Sequence, residues 1–166
     1  MDAKDKERQV IARYLKPTLK AAGFRTRALT WWRFSEDICL IRNLQNSQWN
    51  SKDHVSFWLN FGPALSSAVR AGHVSHYQNV ASVREDSFLP EVRRRSRIHR
   101  SGLGYCIDME TDVDLFIEEF SVDVEEYILP AIGRLTSTAA WLEWLRKAKA
   151  DFWVEQIERK LASLQR

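Results

Sequence analysis

The residues whose types and spacing suit chemistry form fragments of sites in this sequence. His73-Val74-Ser75-His76 places two imidazoles at i and i+3, a spacing that can share a metal on a helix. No nearby Cys or carboxylate pair completes the three or four ligands of a closed site. Asp108-Met109-Glu110 follows an apolar run, as nuclease carboxylates often do, but no lysine close behind it completes a two-metal arrangement, and a helix-cap role is simpler. Gly102-Leu103-Gly104 lacks a third glycine and a preceding Rossmann strand, no Ser sits in a Gly-x-Ser-x-Gly elbow, and no phosphate-binding glycine loop opens a helix. Cys39 and Cys106 each lie in an apolar run without a sequence-local base, so both are expected as reduced core thiols. His54 and His99 stand alone, and the expectation for them is a surface or strand edge. The residue inventory therefore calls for no catalytic set, no metal and no cofactor.

Recognition has better candidates. Val92 to His99 alternates, with Arg93, Arg95 and Arg97 on one face of an expected strand. There they would stand about 6.5 to 7 Å apart, close to the spacing of successive phosphates along a nucleic-acid strand. Trp31, Trp32 or Trp49 would add a stacking surface if exposed nearby. The structural alternative is that these arginines pair with the acidic helix that follows, or keep an edge strand soluble. Gln45, Ser47 and Trp49 form a second candidate: an amide and a hydroxyl beside an aromatic ring, which either bind a partner or satisfy backbone groups where a strand ends.

The elements that must position these residues follow from periodicity. Val10, Ile11, Tyr14, Leu15, Leu19 and Ala22 mark an amphipathic helix over residues 4–22, capped by Gly23 and kinked or broken near Lys16 by Pro17. A meander over 27–62 follows, with strands Arg27 to Phe34, Ile38 to Gln45 and Val55 to Gly62. In the last of these Val55, Phe57, Leu59 and Phe61 share one face. Residues 63–90 read as an insertion with short helices at Ala64 to Ala71, ended by Gly72, and at His76 to Val83. A hairpin is expected over 92–109, then a helix capped by Thr111 that Pro130 kinks or ends, then a helical region to the C-terminus that bends or divides near Asp151. The expected fold is α+β, in one domain over 1–166: an antiparallel sheet of about five strands with an N-terminal helix and a C-terminal helical region packed on it.

Four segments resemble a known family. Leu15-Lys16-Pro17 with Gly23-Phe24, Thr30-Trp31-Trp32-Arg33, Asn43-Leu44-Gln45-Asn46-Ser47-Gln48-Trp49 and Phe57-Trp58-Leu59-Asn60-Phe61-Gly62 are similar to the bacterial domain-of-unknown-function family 4304. The likeness is strongest over residues 15–62. It is looser from Val92 to Ile98 and from Asp112 to Ile132, and residues 63–90 look like an expansion. The resemblance implies an α+β fold and brings no assigned reaction.

Composition narrows the function classes. The 166 residues are 45% hydrophobic and include seven Trp and eight Phe, enough for one sizeable core with aromatic area left for a partner. No apolar run approaches the roughly 20 residues that span a bilayer, and Met1 to Ile11 is charged, so the expectation is a cytoplasmic protein with no membrane partner. Nine acidic residues and no Lys or Arg fall between Asp108 and Glu126, which leaves 25 cations against 13 carboxylates elsewhere. The first expectation is a non-catalytic module that binds a protein partner, of immunity or antitoxin type. The alternative is a nucleic-acid binder using Arg93, Arg95 and Arg97, and a third reading is an enzyme with a dispersed active site.

Overall fold

A computed structural model describes residues 1–69 and 74–165. The fold is α+β, built on an antiparallel sheet of seven strands with helices before and after it. The sheet order is β1 (Arg25–Arg27), β2 (Thr30–Ser35), β3 (Ile38–Asn46), β4 (His54–Leu65), β7 (Gly104–Asp108) and β6 (His99–Arg100). β5 (Val83–Arg84) pairs with β4 opposite Asn60 and Phe61, whereas β7 pairs with the first part of β4, from His54 to Phe57. The expected first strand is two strands, because Ala28 takes a positive φ of 53° and turns the chain after Arg27.

The alternation of β3 and β4 divides the sheet into two faces. Arg42 opposite Phe61 and Leu44 opposite Leu59 lie on one, while Ile41 opposite Gly62 and Asn43 opposite Asn60 lie on the other. The first face carries the main core. Trp31, Leu40, Leu44, Val55, Phe57, Leu59 and Phe61 pack there against Leu15, Leu19, Phe116, Phe120, Trp141, Leu145 and Ile157 of the helices. On the second face a smaller cluster joins Cys39, Ile41 and Ala64 to Val69 and Val74.

Two helical stretches run through their prolines. α1 (Ala3–Val10) continues through a π-helical turn (Ile11–Leu15) into α2 (Lys16–Ala21), which contains Pro17. A second π-helical turn (Asp123–Ile128) joins α4 (Val113–Val122) to α5 (Leu129–Gly133), which contains Pro130. Proline offers no amide to the carbonyl four residues back, and the widened turn just ahead of each accommodates that loss without a break. Gly23, at φ 85°, ends α2 in a Schellman stop, with the Phe24 amide donating to the Leu19 carbonyl at 3.0 Å. The C-terminal region is two helices, α6 (Thr138–Lys147) and α7 (Asp151–Leu164), separated where Lys149 takes a φ of 56°.

Three expectations are corrected. Residues 92–98 are not a strand: α3 (Glu91–Arg94) and a turn occupy them, since Pro90 sets the start of a helical turn and Arg93 and Arg94 amides donate back to its carbonyl. Thr111 does not cap α4. The cap is Asp112, whose carboxylate takes the Asp114 and Leu115 amides, while the Thr111 hydroxyl accepts from the Asp108 amide. The helices expected within 63–90 are instead the continuation of β4 to Leu65, short 3-10 turns and β5. His73, Gly72 and the end of the helix expected at Ala71 lie outside the described residues.

Candidate docking groove

The sequence candidates separate once the chain is folded. Arg93 donates from Nε to Asp123 Oδ1 at 2.5 Å and from Nη2 to the Glu119 carbonyl at 2.9 Å, with its side chain 19% exposed and that of Asp123 fully buried. Burial alone would lower the Arg93 pKa, but the bond to Asp123 and the nearby Glu119 outweigh it and raise it. Arg97 donates to Glu119 Oε1 at 2.8 Å, and Arg95 stands 3.4 Å from Glu91. These three arginines therefore share no strand face. Arg93 and Arg97 pair with the acidic stretch around α4, the structural alternative to a phosphate-binding row.

His99 is also corrected. It is buried, because Tyr105 packs edge-on against its ring at 4.8 Å and both its nitrogens find partners inside. Nδ1 lies 3.0 Å from the Arg94 carbonyl and Nε2 3.0 Å from Glu85 Oε1, while Glu85 Oε2 accepts the Leu59 amide. Tyr105 donates to Asp123 Oδ2 at 3.1 Å, so one polar network ties the 85–99 segment and α4 to the sheet. Burial, then Asp123 and Glu85, hold the Tyr105 pKa well above its ordinary value, and its hydroxyl stays a donor. Both cysteines are free and buried; burial pushes the Cys39 thiol up to about 11 and raises Cys106 as well, which suits core thiols and not nucleophiles.

Of the second candidate set, Ser47 and Trp49 belong to the β3–β4 turn. The Ser47 hydroxyl accepts the Trp49 amide at 3.2 Å, and the Trp49 ring is 82% exposed at the tip. Gln45 points elsewhere. It lines a hollow of about 640 Å³ together with Asn43, Asn60, His76, Tyr77, Asn79, Ser82, Arg84 and Trp153. Asn60 Nδ2 donates to Gln45 Oε1 at 2.9 Å, which organises the amides into a patch. The Arg84 guanidinium lies 4.4 Å from the centre of the Trp58 ring, a cation–π contact that holds it over the sheet.

A second hollow, of about 650 Å³, opens beside the first and shares Tyr77, Asn79 and Trp153 with it. Its walls add Leu65, Ala68 and Val80 on one side and Phe152, Gln156, Arg159 and Lys160 of α7 on the other. Together the two hollows make one groove. Tyr77 is 86% exposed and Phe152 62% exposed, an unusual display of aromatic area. The turn that carries Tyr77 is fixed locally: Ser75 accepts the Tyr77 amide, and the Ser75 amide donates to the Gln78 side chain. Gly62 allows the wall to approach, since a Cβ there would stand 2.0 Å from the Ala81 carbonyl and 2.6 Å from Asn79 Nδ2.

Residues 15–134 match the family model described as Domain of unknown function (DUF4304). The chain belongs to this family. No curated protein and no solved structure matches it. The DUF4304 match takes in Asn43, Gln45, Asn60, Tyr77 and Arg84 and ends before α6, so Phe152, Trp153, Arg159 and Lys160 lie outside it. Among the described residues, no group of three or more His, Cys, Asp or Glu stands close enough to hold a metal ion, and no helix is long and apolar enough to cross a membrane. Of the residues singled out from the sequence, Gln45 and His76 line the groove, the first as a candidate for recognition and the second as half of a possible metal pair. Tyr77, Arg84 and the α7 residues join Gln45 only through pairing of β5 with β4 and the return of the C-terminal helix, neither of which has a local signature.

Proposed function

We propose that this member of the DUF4304 family is a non-catalytic protein-binding module and that the paired hollows are its docking surface. One observation carries the reading: two contiguous hollows, each above 600 Å³, meet at Tyr77, Asn79 and Trp153, with Tyr77 and Phe152 presenting most of their surface to solvent. Tyr, Trp and Arg are the residues that dominate binding energy at protein interfaces, and amides at the margin supply directional hydrogen bonds. A bacterial cytoplasmic setting and an immunity- or antitoxin-type partner belong to the same proposal; the partner type is motivated by the aromatic content and the strongly divided charge of the sequence.

The test is site-specific photocrosslinking in the native host. Benzoylphenylalanine replaces Tyr77 or Phe152 in the groove, or the exposed Val92 elsewhere. The reading expects a discrete protein adduct from the groove positions alone, competed away by excess wild-type chain and not by a Tyr77→Ala/Phe152→Ala variant. Adducts that form equally at position 92, or none at 77 and 152, would sink it.

A further inference from the structure

Resting on that reading, we infer that the groove takes an acidic segment of a partner protein, with carboxylates flanking an apolar or aromatic side chain. Arg84 lines one hollow, and Arg159 and Lys160 line the other. All three side chains are exposed, and none of them makes a salt bridge or a hydrogen bond among the described residues. That sets them apart from Arg93, Arg97 and Arg146, each of which is already held by a carboxylate at 2.5 to 2.7 Å. No described residue lining either hollow is an Asp or a Glu. The nearest carboxylates in sequence on α7, Asp151, Glu155 and Glu158, are not among the lining residues, and Glu158 pairs with Arg146 at 2.7 Å. Each hollow therefore presents positive charge with no carboxylate among its described lining residues, in a protein with nine of its 22 carboxylates between Asp108 and Glu126.

The order of chemistry along the groove gives the order in the ligand. Arg84 lines one hollow and the Arg159–Lys160 pair the other, and Tyr77, Asn79 and Trp153 line both. A carboxylate is met in each hollow and an apolar side chain at the residues that the two share. The amides of Asn43, Gln45, Asn60 and Gln156 suit the donors and acceptors of an extended peptide backbone. Leu65, Ala68 and Val80 form an aliphatic wall that accommodates a side chain. A nucleic-acid strand calls instead for a continuous cationic track along its phosphates, and the aliphatic wall interrupts one here.

The experiment selects ligands without presupposing their charge. A display library of random linear peptides is panned on the wild-type chain, with counter-selection on Tyr77→Ala/Phe152→Ala. Winning peptides are then titrated by fluorescence anisotropy against wild type and Arg84→Gln/Arg159→Gln/Lys160→Gln, in a salt series, beside fluorescein-labelled oligo(dT) and oligo(U). Thermal melting confirms that both variants fold, as the exposed positions lead us to expect. The inference expects peptides with Asp or Glu on both sides of an apolar residue, and binding weakened at least about tenfold in the triple-Gln variant and by added salt. Groove-dependent peptides that are neutral or basic would overturn this inference while leaving the docking groove standing. The absence of any groove-dependent peptide would overturn both. Oligonucleotides that bind the groove more tightly than the selected peptides would also overturn it.

Discussion

Glu85 and His99 face each other at 3.0 Å in the interior, with each side chain 1% exposed. The other His99 nitrogen lies 3.0 Å from the Arg94 carbonyl, which can only accept, so the ring meets an oxygen on both sides, an arrangement that favours its protonated form. Burial by itself would lower the His99 pKa from 6.5. The bonds to Glu85 and to the Arg94 carbonyl, with the nearby Glu85 and Asp123 charges, outweigh burial and raise it. A histidine whose folded-state pKa is raised binds its proton more tightly in the native state. Its contribution is complete below pH 6.5 and is lost as pH climbs through the raised value. Melting temperature is therefore expected to decline as pH rises above 6.5, and His99→Gln to flatten that decline while lowering stability at pH 6. An unchanged slope in the variant would show that other groups set the pH dependence.

Arg93 and Asp123 are the second buried ionic contact, and they join α3 to the π-helical turn after α4. Removing one partner leaves the other without compensation. Arg93→Ala should cost about 3 kcal/mol, since Asp123 is then a buried carboxylate held only by the Tyr105 hydroxyl. Arg95→Ala, which loses an exposed contact to Glu91, should change stability by less than about 1 kcal/mol. Urea midpoints for the two variants, measured side by side, decide the matter; equal effects would contradict the assigned difference in burial.

The fold was legible wherever one face of an element is apolar. Val55, Phe57, Leu59 and Phe61 fixed the inward face of β4, and the spacing of Phe116, Phe120, Val124 and Ile128 marked the helix that covers it. Residues 92–98 misled because alternation and helical turns are indistinguishable over so few residues. There Pro90 and the pull of Asp123 and Glu119 on Arg93 and Arg97 overrode the period-two pattern. The groove was nearly invisible for a different reason. Its walls come from positions near 43, 60, 77, 84 and 153, brought together by β4 having one partner along its first part and another along its second. The one legible trace was polarity on strands: Asn43, Gln45 and Asn60 interrupt otherwise apolar strands on the face away from the main core.

Arg42 occupies a position where the strand pattern asks for an apolar residue. It is fully buried between Trp31 and Phe61, 5.7 Å and 5.2 Å from their ring centres, and its three guanidinium nitrogens make no hydrogen bond among the described residues. Burial lowers its pKa to about 10, so it remains a cation at neutral pH, supported by the two rings and by the more distant charge of Glu85. A buried charge without direct pairing carries a desolvation penalty that an unbranched apolar side chain of similar length avoids. Arg42→Met is expected to raise stability by about 1 kcal/mol or more. Arg42→Ala, which leaves a void between the same rings, should lower it by about 2 kcal/mol or more. Opposite signs in thermal melts of the two variants would establish that Arg42 is retained at a cost in stability; destabilisation by both would mean that the rings compensate its charge fully.

Gly62 links stability to the groove. It lies in β4 opposite Ile41, and a Cβ there would press on the Ala81 carbonyl at 2.0 Å and on the Asn79 side chain at 2.6 Å and 2.8 Å. The first clash is with backbone, so a rotamer change cannot relieve it, and the 79–82 segment must move away from β4. Asn79 lines both hollows and Ser82 one of them, so that movement opens the wall between Tyr77 and Arg84. Gly62→Ala should therefore cost about 1–3 kcal/mol, the range for overpacking a close contact. It should also weaken groove ligands even at temperatures where the variant is fully folded. Gly133→Ala is the control, because a Cβ at that position meets nothing within 4 Å. Amide hydrogen exchange over residues 79–84 reads the displacement directly: faster exchange in Gly62→Ala, with Gly133→Ala unchanged, is the expected result. Equal protection in both variants would mean that the segment absorbs the methyl without leaving the sheet.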